Sequence, residues 1–418
     1  MATPDTKGMR PLNLLRWLAV VTISLLLPTA AFAHSSAKSP SKAAQSKHHR
    51  VHRARRARAT RLHHARRVLV RHRGQTSAAG GTKAPPAARI SIAAPTGTTY
   101  YVSPNGSDAQ SGTSPANAWR TVEQVDRANL KPGDAVLFQG GATFGDDTLM
   151  PGWGETASGT SSAPITFGSY GQGQATITDG VWFKSDSNLA FENLILGDSS
   201  GDSGKGFQGD GNGITLVNMT IEHADLGVLA EGDDWTIADS TVAYTGDSGM
   251  LLGYTAGEPG DPAGGNNYLV TGNTISNTGM NPAYTFGTHG IYDKVTKATI
   301  TDNTITHFKN DGISVRYRNS TISGNHLAYG DIGLAWFQYD TTAGASKWTD
   351  NSISNVSAAG IFVCGTREGC RGTLESFQIS GNVITNDGGT GMNLQPTTGT
   401  YSVNATTTSR RATDRRAR

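Results

Sequence analysis

Residues 298–338 write one short pattern almost twice. Ile300, Asn303 and Ile305 lead to Gly312 and Ile313; Ile322, Asn325 and Leu327 lead to Gly333 and Leu334. The copies lie 22 residues apart at the asparagine and 21 at the glycine. A unit this short cannot bury its own apolar residues, so alternating runs repeated at this period imply a solenoid in which each coil stacks on the next.

The register extends well beyond the two copies. Phe191, Leu216, Ile237, Val270, Ile300, Ile322, Trp348, Ile379 and Val403 each open a run, and the runs close at Leu196, Ile221, Val242, Ile275, Ile305, Leu327, Ile353 and Ile384. Val403 has no apolar closing residue. Between opening and closing positions one column reads Leu194, Met219, Ser240, Asn273, Asn303, Asn325, Asn351 and Asn382. Five asparagines in register predict a ladder whose side-chain amides satisfy one another and the backbone of neighbouring coils, a structural task. A second column, Gly227, Gly249, Gly290, Gly312, Gly333, Gly360 and Gly391, precedes an inward apolar residue each time, and is read as supplying a turn. Insertions at 253–267 and 276–289 fall outside these columns and are placed to wall a groove.

The ends differ from this body. A basic start (Lys7, Arg10, Arg16), an apolar run from Trp17 to Leu27 and Ala31-Phe32-Ala33 read as a signal peptide, residues 1–33, too short to span a bilayer comfortably. Residues 34–98 are rich in Arg, His, Ala, Ser and Pro and are expected to be a disordered basic linker. For the segment 51–73 two readings stay open: a polybasic contact with anionic cell-envelope polymers, or a solvated spacer. The solenoid is assigned to 99–404, and the Arg-rich tail 405–418 to disorder. The formal charge of +3 hides this asymmetry: residues 99–408 carry 13 basic side chains against 31 acidic, a net of −18. Nucleic acid is therefore excluded as a partner of the folded body. A secreted or envelope-associated monomer acting on polysaccharide is expected.

The opening of the body, TYYVSPNGSDAQSGTSPANAWRTVEQVDRANLKPGDAVLFQGG, sets a strand at Tyr100–Val102, a turn at Pro104-Asn105-Gly106, a helix from Thr121 to Ala128 and a strand from Ala135. This stretch resembles the N-terminal cap of secreted right-handed parallel β-helix proteins of the pectate-lyase-like superfamily. The resemblance implies an all-β, right-handed parallel β-helix with a capping helix over its open end, where core and unpaired strand groups would otherwise meet water. That fold hosts lyases, hydrolases, epimerases and non-catalytic surface proteins.

Strand alternation puts Tyr292, Ser314, Ala335 and Phe362 outward two residues after the glycine, and Lys294, Arg316, Phe337 and Cys364 outward four after it. Lys294 and Arg316 thus become vertical neighbours. A cation beside Lys294 favours its neutral amine, able to take a proton α to a carboxyl group, while Arg316 offsets the carboxylate. The pair is similar to that of β-helix lyases acting on alginate or dermatan-type chains. By that resemblance Lys294 is the base and Arg316 its acid or electrostatic partner, with His289, Tyr292, Arg318 and Phe337 lining the site. The alternative at these positions is a pair of solvated cations bonded to Asp293 or Asp311.

Asp198, Asp202 and Asp210 sit in an oxygen-rich loop and are candidate Ca²⁺ ligands, Ca²⁺ being the one cofactor foreseen; a plain acidic loop is the competing reading. For a hydrolase, Asp331 with Asp340, or Asp293 with Asp311, would supply two carboxyl groups; the paired-Asp, Gly-His-Gly and Arg-Ile-Lys signatures of polygalacturonases are absent. Tyr292, Tyr317, Phe337 and Tyr339 are candidates for stacking on sugars or packing between coils. Cys364 and Cys370, the two cysteines, are expected to close a short disulfide loop. A non-enzymatic carbohydrate-binding or adhesion module is the alternative to a lyase.

Overall fold

A computed structural model describes residues 90–410, apart from 146, 153–156, 198–205, 255–261, 286, 338–344, 365–373, 387, 396–398 and 405–406. The signal-peptide and linker assignments and the end of the basic tail lie outside the described residues.

Short strands dominate, because the apolar positions recur at a spacing of two within runs of three to six residues. They form two parallel sheets, one of 12 strands and one of 19. The pairing reproduces the sequence columns residue for residue. Phe191 pairs with Leu216, Leu216 with Ile237, Ile237 with Val270, Val270 with Ile300, and so to Trp348, Ile379 and Val403 in the first sheet. In the second sheet the closing residues stack from Leu196 to Ile384. All of these but Val403, which is partly buried, form one continuous core between the sheets. The chain is a right-handed parallel β-helix. At the open end, Thr121 caps a short helix, Val122–Asp126, by accepting from the Gln124 amide, and the helix buries Val122 and Val125 in the same core.

The asparagine ladder is present and fully bonded. From Asn303 to Asn382 each side chain accepts from the backbone N–H and the amide of the asparagine before it, Asn273 accepts from the Ser240 N–H, and each donates to a carbonyl across the turn; Asn325, for example, donates to Ile300 O at 2.8 Å. Ser240 opens the stack by accepting from the Met219 amide and donating to Ala238 O.

Two expectations change. The glycine column is not a set of turns: Gly227, Gly249, Gly290, Gly312, Gly333 and Gly360 have no positive φ. Their lack of a side chain serves close coil contact, since a Cβ on Gly290 would come within 2.5 Å of both Gly312 O and Ile305 Cγ2. At the C-terminal end, Thr407–Arg410 pairs with Val383–Asn386, so strand pairing enters the stretch assigned to the tail, with Thr408 opposite Ile384 where an apolar residue was sought.

Candidate functional site

The site lies on the outward face of the second sheet, on three adjoining strands: His289–Asp293, Asp311–Val315 and His326–Trp336. Ile291, Ile313 and Leu334 point into the core and fix the register, so Tyr292 pairs with Ser314, and Ser314 with Ala335. Alternation then puts Tyr292, Lys294, Ser314, Arg316 and Phe337 on one face, while His289 and Asp311, which share the parity of Ile291 and Ile313, join it through contacts with Tyr292 and Ser314.

Lys294 and Arg316 meet over an aromatic ring. The Lys294 Nζ and the Arg316 Cζ each lie 4.6 Å from the centroid of the Tyr292 ring, and the Arg316 Cζ lies 4.6 Å from that of Phe337. The negative faces of the rings offset part of the repulsion between the two cations. Arg316 is also held from below: its Nη1 donates to Ser314 Oγ at 2.8 Å, and Ser314 Oγ donates to Asp311 Oδ2 at 2.7 Å. Only 7% of either cation's surface is exposed.

His289 completes the group. Its ring lies 4.6 Å from that of Tyr292, and its Nδ1 is 3.2 Å from Asp311 Oδ2, an ion-pair distance without hydrogen-bond alignment. Both ring nitrogens are buried and lack an aligned partner. Burial pushes the Asp311 carboxyl up, but His289, Ser314 and Arg316 outweigh it and hold the group below the usual carboxylate range. Asp247, on the coil before, is raised by burial, with Ser248 and His289 working against the rise and Asp225 adding to it. Asp225 in turn accepts from the Tyr284 hydroxyl at 2.8 Å.

Asp293 behaves differently. It pairs with Leu252 on one side and Val315 on the other, both core residues, and is wholly buried. Its Oδ1 accepts from the Val295 amide at 3.0 Å, while Oδ2 has no partner. Burial pushes it up to about 7, with the Val295 amide and Arg316 pulling the other way. This corrects its pairing with Asp311 as two carboxyl groups across an open cleft: Asp293 is wholly buried between core residues, and Asp311 is buried against His289 and Ser314.

The remaining candidates are scattered. Arg318 is half-buried in the turn beyond, where its carbonyl accepts from the Lys297 amide. Tyr317 is buried, with its hydroxyl 3.4 Å from Pro262 O, so it offers no face to a sugar. Asp210 stands in register between Lys184 and Glu231, away from this face's centre. Asp198, Asp202, Tyr339, Asp340 and Cys370 lie outside the described residues; Cys364 is buried beside Phe362, Ala359 and Phe337. Sequence reasoning set Ser314 outward but gave it no role, and it missed Asp247. A signal for this site existed, because the position before the glycine column turns polar on three consecutive coils, Ser248, His289 and Asp311, between Leu226 and Ile332.

Residues 174–359 match the family described as NosD, periplasmic copper-binding protein. Over 213 residues the chain is 31% identical to lacto-N-biosidase of Bifidobacterium longum subsp. longum; the match covers 47% of this chain and 12% of that much longer relative. Among solved structures, the lacto-N-biosidase of family GH136 from Eubacterium ramulus superposes with a TM-score of 0.51 at 15% identity, over 74% of this chain and 67% of that one. XylC in complex with xylose gives 0.55 at 9% identity, over 71% and 70%. These likenesses show the fold. The described residues do not suit copper, which prefers imidazole or sulfur donors in numbers: no three His, Cys, Asp or Glu side chains among them converge. By its fold, the chain is a right-handed parallel β-helix protein.

Proposed function

We propose that the face around Tyr292 binds an acidic polysaccharide and cleaves it by β-elimination beside a uronate. The observation that carries this reading is the convergence of Lys294 and Arg316 on one ring, 4.6 Å from its centroid each, in a body of net negative charge. Two cationic groups converging on one ring give an anionic sugar two charged contacts at once. Arg316, fixed by Ser314, pairs with the uronate carboxylate and stabilises the enolate-like intermediate. Lys294 takes the proton α to that carboxyl, the bond from the β carbon to the departing oxygen breaks, and the Tyr292 hydroxyl returns a proton to that oxygen. Phe337 and Tyr292 supply apolar walls. Ca²⁺ held near Asp210 would moderate repulsion between the acidic body and a polyanion. The protein is secreted, and its basic linker contacts anionic polymers of the cell envelope.

A second reading is glycoside hydrolysis. His289 acts on both Asp247 and Asp311, bringing two carboxyl groups to one imidazole, and the stretch similar to a lacto-N-biosidase favours a carboxylate pair.

The full-length protein is incubated with alginate, polygalacturonate and glycosaminoglycans, with and without Ca²⁺, while ultraviolet absorbance of unsaturated uronate ends and release of reducing ends are followed. Unsaturated product that vanishes in Lys294→Ala and persists in Asp247→Asn supports elimination. Reducing ends without unsaturation, lost in Asp247→Asn, support hydrolysis instead. Elimination undiminished in Lys294→Ala removes that residue from the chemistry, and no product from any polymer favours a binding module.

A further inference from the structure

One corner of the solenoid carries a second periodicity, longer than the coil. The residues that follow the inner strands of the second sheet stand in register: His223, Tyr244, Asn277, His307, Tyr329 and Asn355. The column reads His, Tyr, Asn and again His, Tyr, Asn. All six have left-handed backbones, with φ between 53 and 64°. Asparagine tolerates that region; for a bulky ring it is an outlier that invites a functional reason.

The two triplets match in geometry as well as in letters. His223 stacks on Tyr244 with centroids 5.2 Å apart and planes 6° from parallel; His307 stacks on Tyr329 at 4.8 Å and 15°. Asn277 donates to Ser276 Oγ at 3.3 Å, and Asn355 to Ser354 Oγ at 3.4 Å. Tyr244 and Tyr329 are among the most exposed large side chains, at 47% and 52%. Nothing in the core calls for rings here.

We propose that this corner is a platform for the sugar rings of a polysaccharide chain, with each His–Tyr stack and the asparagine beside it forming one subsite. Rings stacked on adjacent coils have their faces turned along the solenoid axis. Tyr244 and His307 stand two coils apart, roughly 9.6 Å at ordinary strand spacing, with the small Asn277 between. That gap takes one pyranose ring with contacts of about 3.5–4.0 Å on each face, while the Asn277 amide meets its hydroxyls. Tyr329 with Asn355 repeats the arrangement three coils along. The corner leads within a few residues into the strand that begins at Asp311, so a chain seated here reaches the face described above. The proposal does not depend on which bond, if any, that face breaks.

Tyr244→Gly and Tyr329→Gly, singly and together, test it in the full chain. Glycine suits a positive φ, so it removes the ring while easing the backbone. Native electrophoresis through gels containing alginate, polygalacturonate, xylan or hyaluronan reads binding, and circular dichroism reads the melting temperature. The expected result is retardation of the parent, a dissociation constant roughly tenfold weaker for each ring removed, and melting temperatures equal to or above the parent's. Lys131→Ala, at an exposed side chain outside both the corner and the Tyr292 face, should keep the retardation, so a loss in the ring variants is not a general effect of surface substitution. Unchanged binding in the double variant overturns the proposal, as does a parent that no polysaccharide retards. Loss of binding accompanied by a clear fall in melting temperature also overturns it, because the rings then serve the coil.

Discussion

The asparagine stack from Asn273 to Asn382 and the polar stack of Ser248, His289 and Asp311 run along the same solenoid, both buried, one residue per coil. In the first, each amide is bonded above, below and across the turn, and Asn325 alone takes part in bonds to Asn303, Ile300 and Asn351. In the second, both His289 nitrogens and the nearby Asp293 Oδ2 lack aligned partners, and Asp311 is held by a histidine, a serine and an arginine of unlike geometry. A repeated identical group closes its own bonding requirements. A run of different groups leaves valences open, and those are what a ligand can use.

The largest effect expected is on the closed stack. Asn325→Ala removes its side-chain bonds, takes the shared acceptor from the Asn303 backbone N–H and side-chain amide, and leaves the Asn351 Oδ1 with the residue-325 backbone N–H alone, at a cost of about 3–5 kcal/mol. Urea unfolding followed by circular dichroism reads this loss. A cost near that of an exposed asparagine would mean that water replaces the ladder readily, and the contrast would fail.

Asp293→Asn should have the opposite sign. A carboxyl raised from its usual 3.8 to about 7 binds more protons folded than unfolded, so its contribution to stability is full below 3.8 and is lost as the pH rises through about 7. An amide cannot ionise and escapes that loss. The variant should be more stable than the parent by on the order of 2–4 kcal/mol above neutrality, with the difference closing in acid. Unfolding curves across the pH range check the sign, and a variant less stable at every pH would show that the Asp293 charge is wanted.

Most of the fold was legible because a solenoid repeats its own instructions: every opening and closing residue from Phe191 to Ile384 could be aligned by hand and pairs as aligned. The outward placement of Tyr292, Lys294, Ser314 and Arg316 followed from alternation once Ile291 and Ile313 were fixed. Side-chain reach was not legible. Column positions make Lys294 and Arg316 neighbours, but cannot say that both charges lie against the Tyr292 ring or that Ser314 braces the guanidinium. Nor does a column say why a residue is there. The glycines were read as turns, although the close approach of the next coil demands them, and Asp293 was offered as a partner for Asp311 although the same alternation points it inward.

The smallest effect expected separates open valences that serve a site from those that are only a cost. Tyr268 is buried against Trp235, and its hydroxyl has no partner. Burial, and after it Glu231, Asp233 and Asp293, push that hydroxyl well above the ordinary phenol range, so it stays a neutral donor with nothing to receive it. Tyr268→Phe deletes the unbonded group and keeps the ring, for a gain of about 1 kcal/mol. His289→Phe also deletes nitrogens without aligned partners, but it takes the ion-pair neighbour from buried Asp311, so a modest loss of stability is expected instead. The two should part in polysaccharide turnover, intact in Tyr268→Phe and lost in His289→Phe. If both keep turnover, an unpaired buried group in this solenoid is no guide to its site, and the distinction between the two stacks reduces to packing.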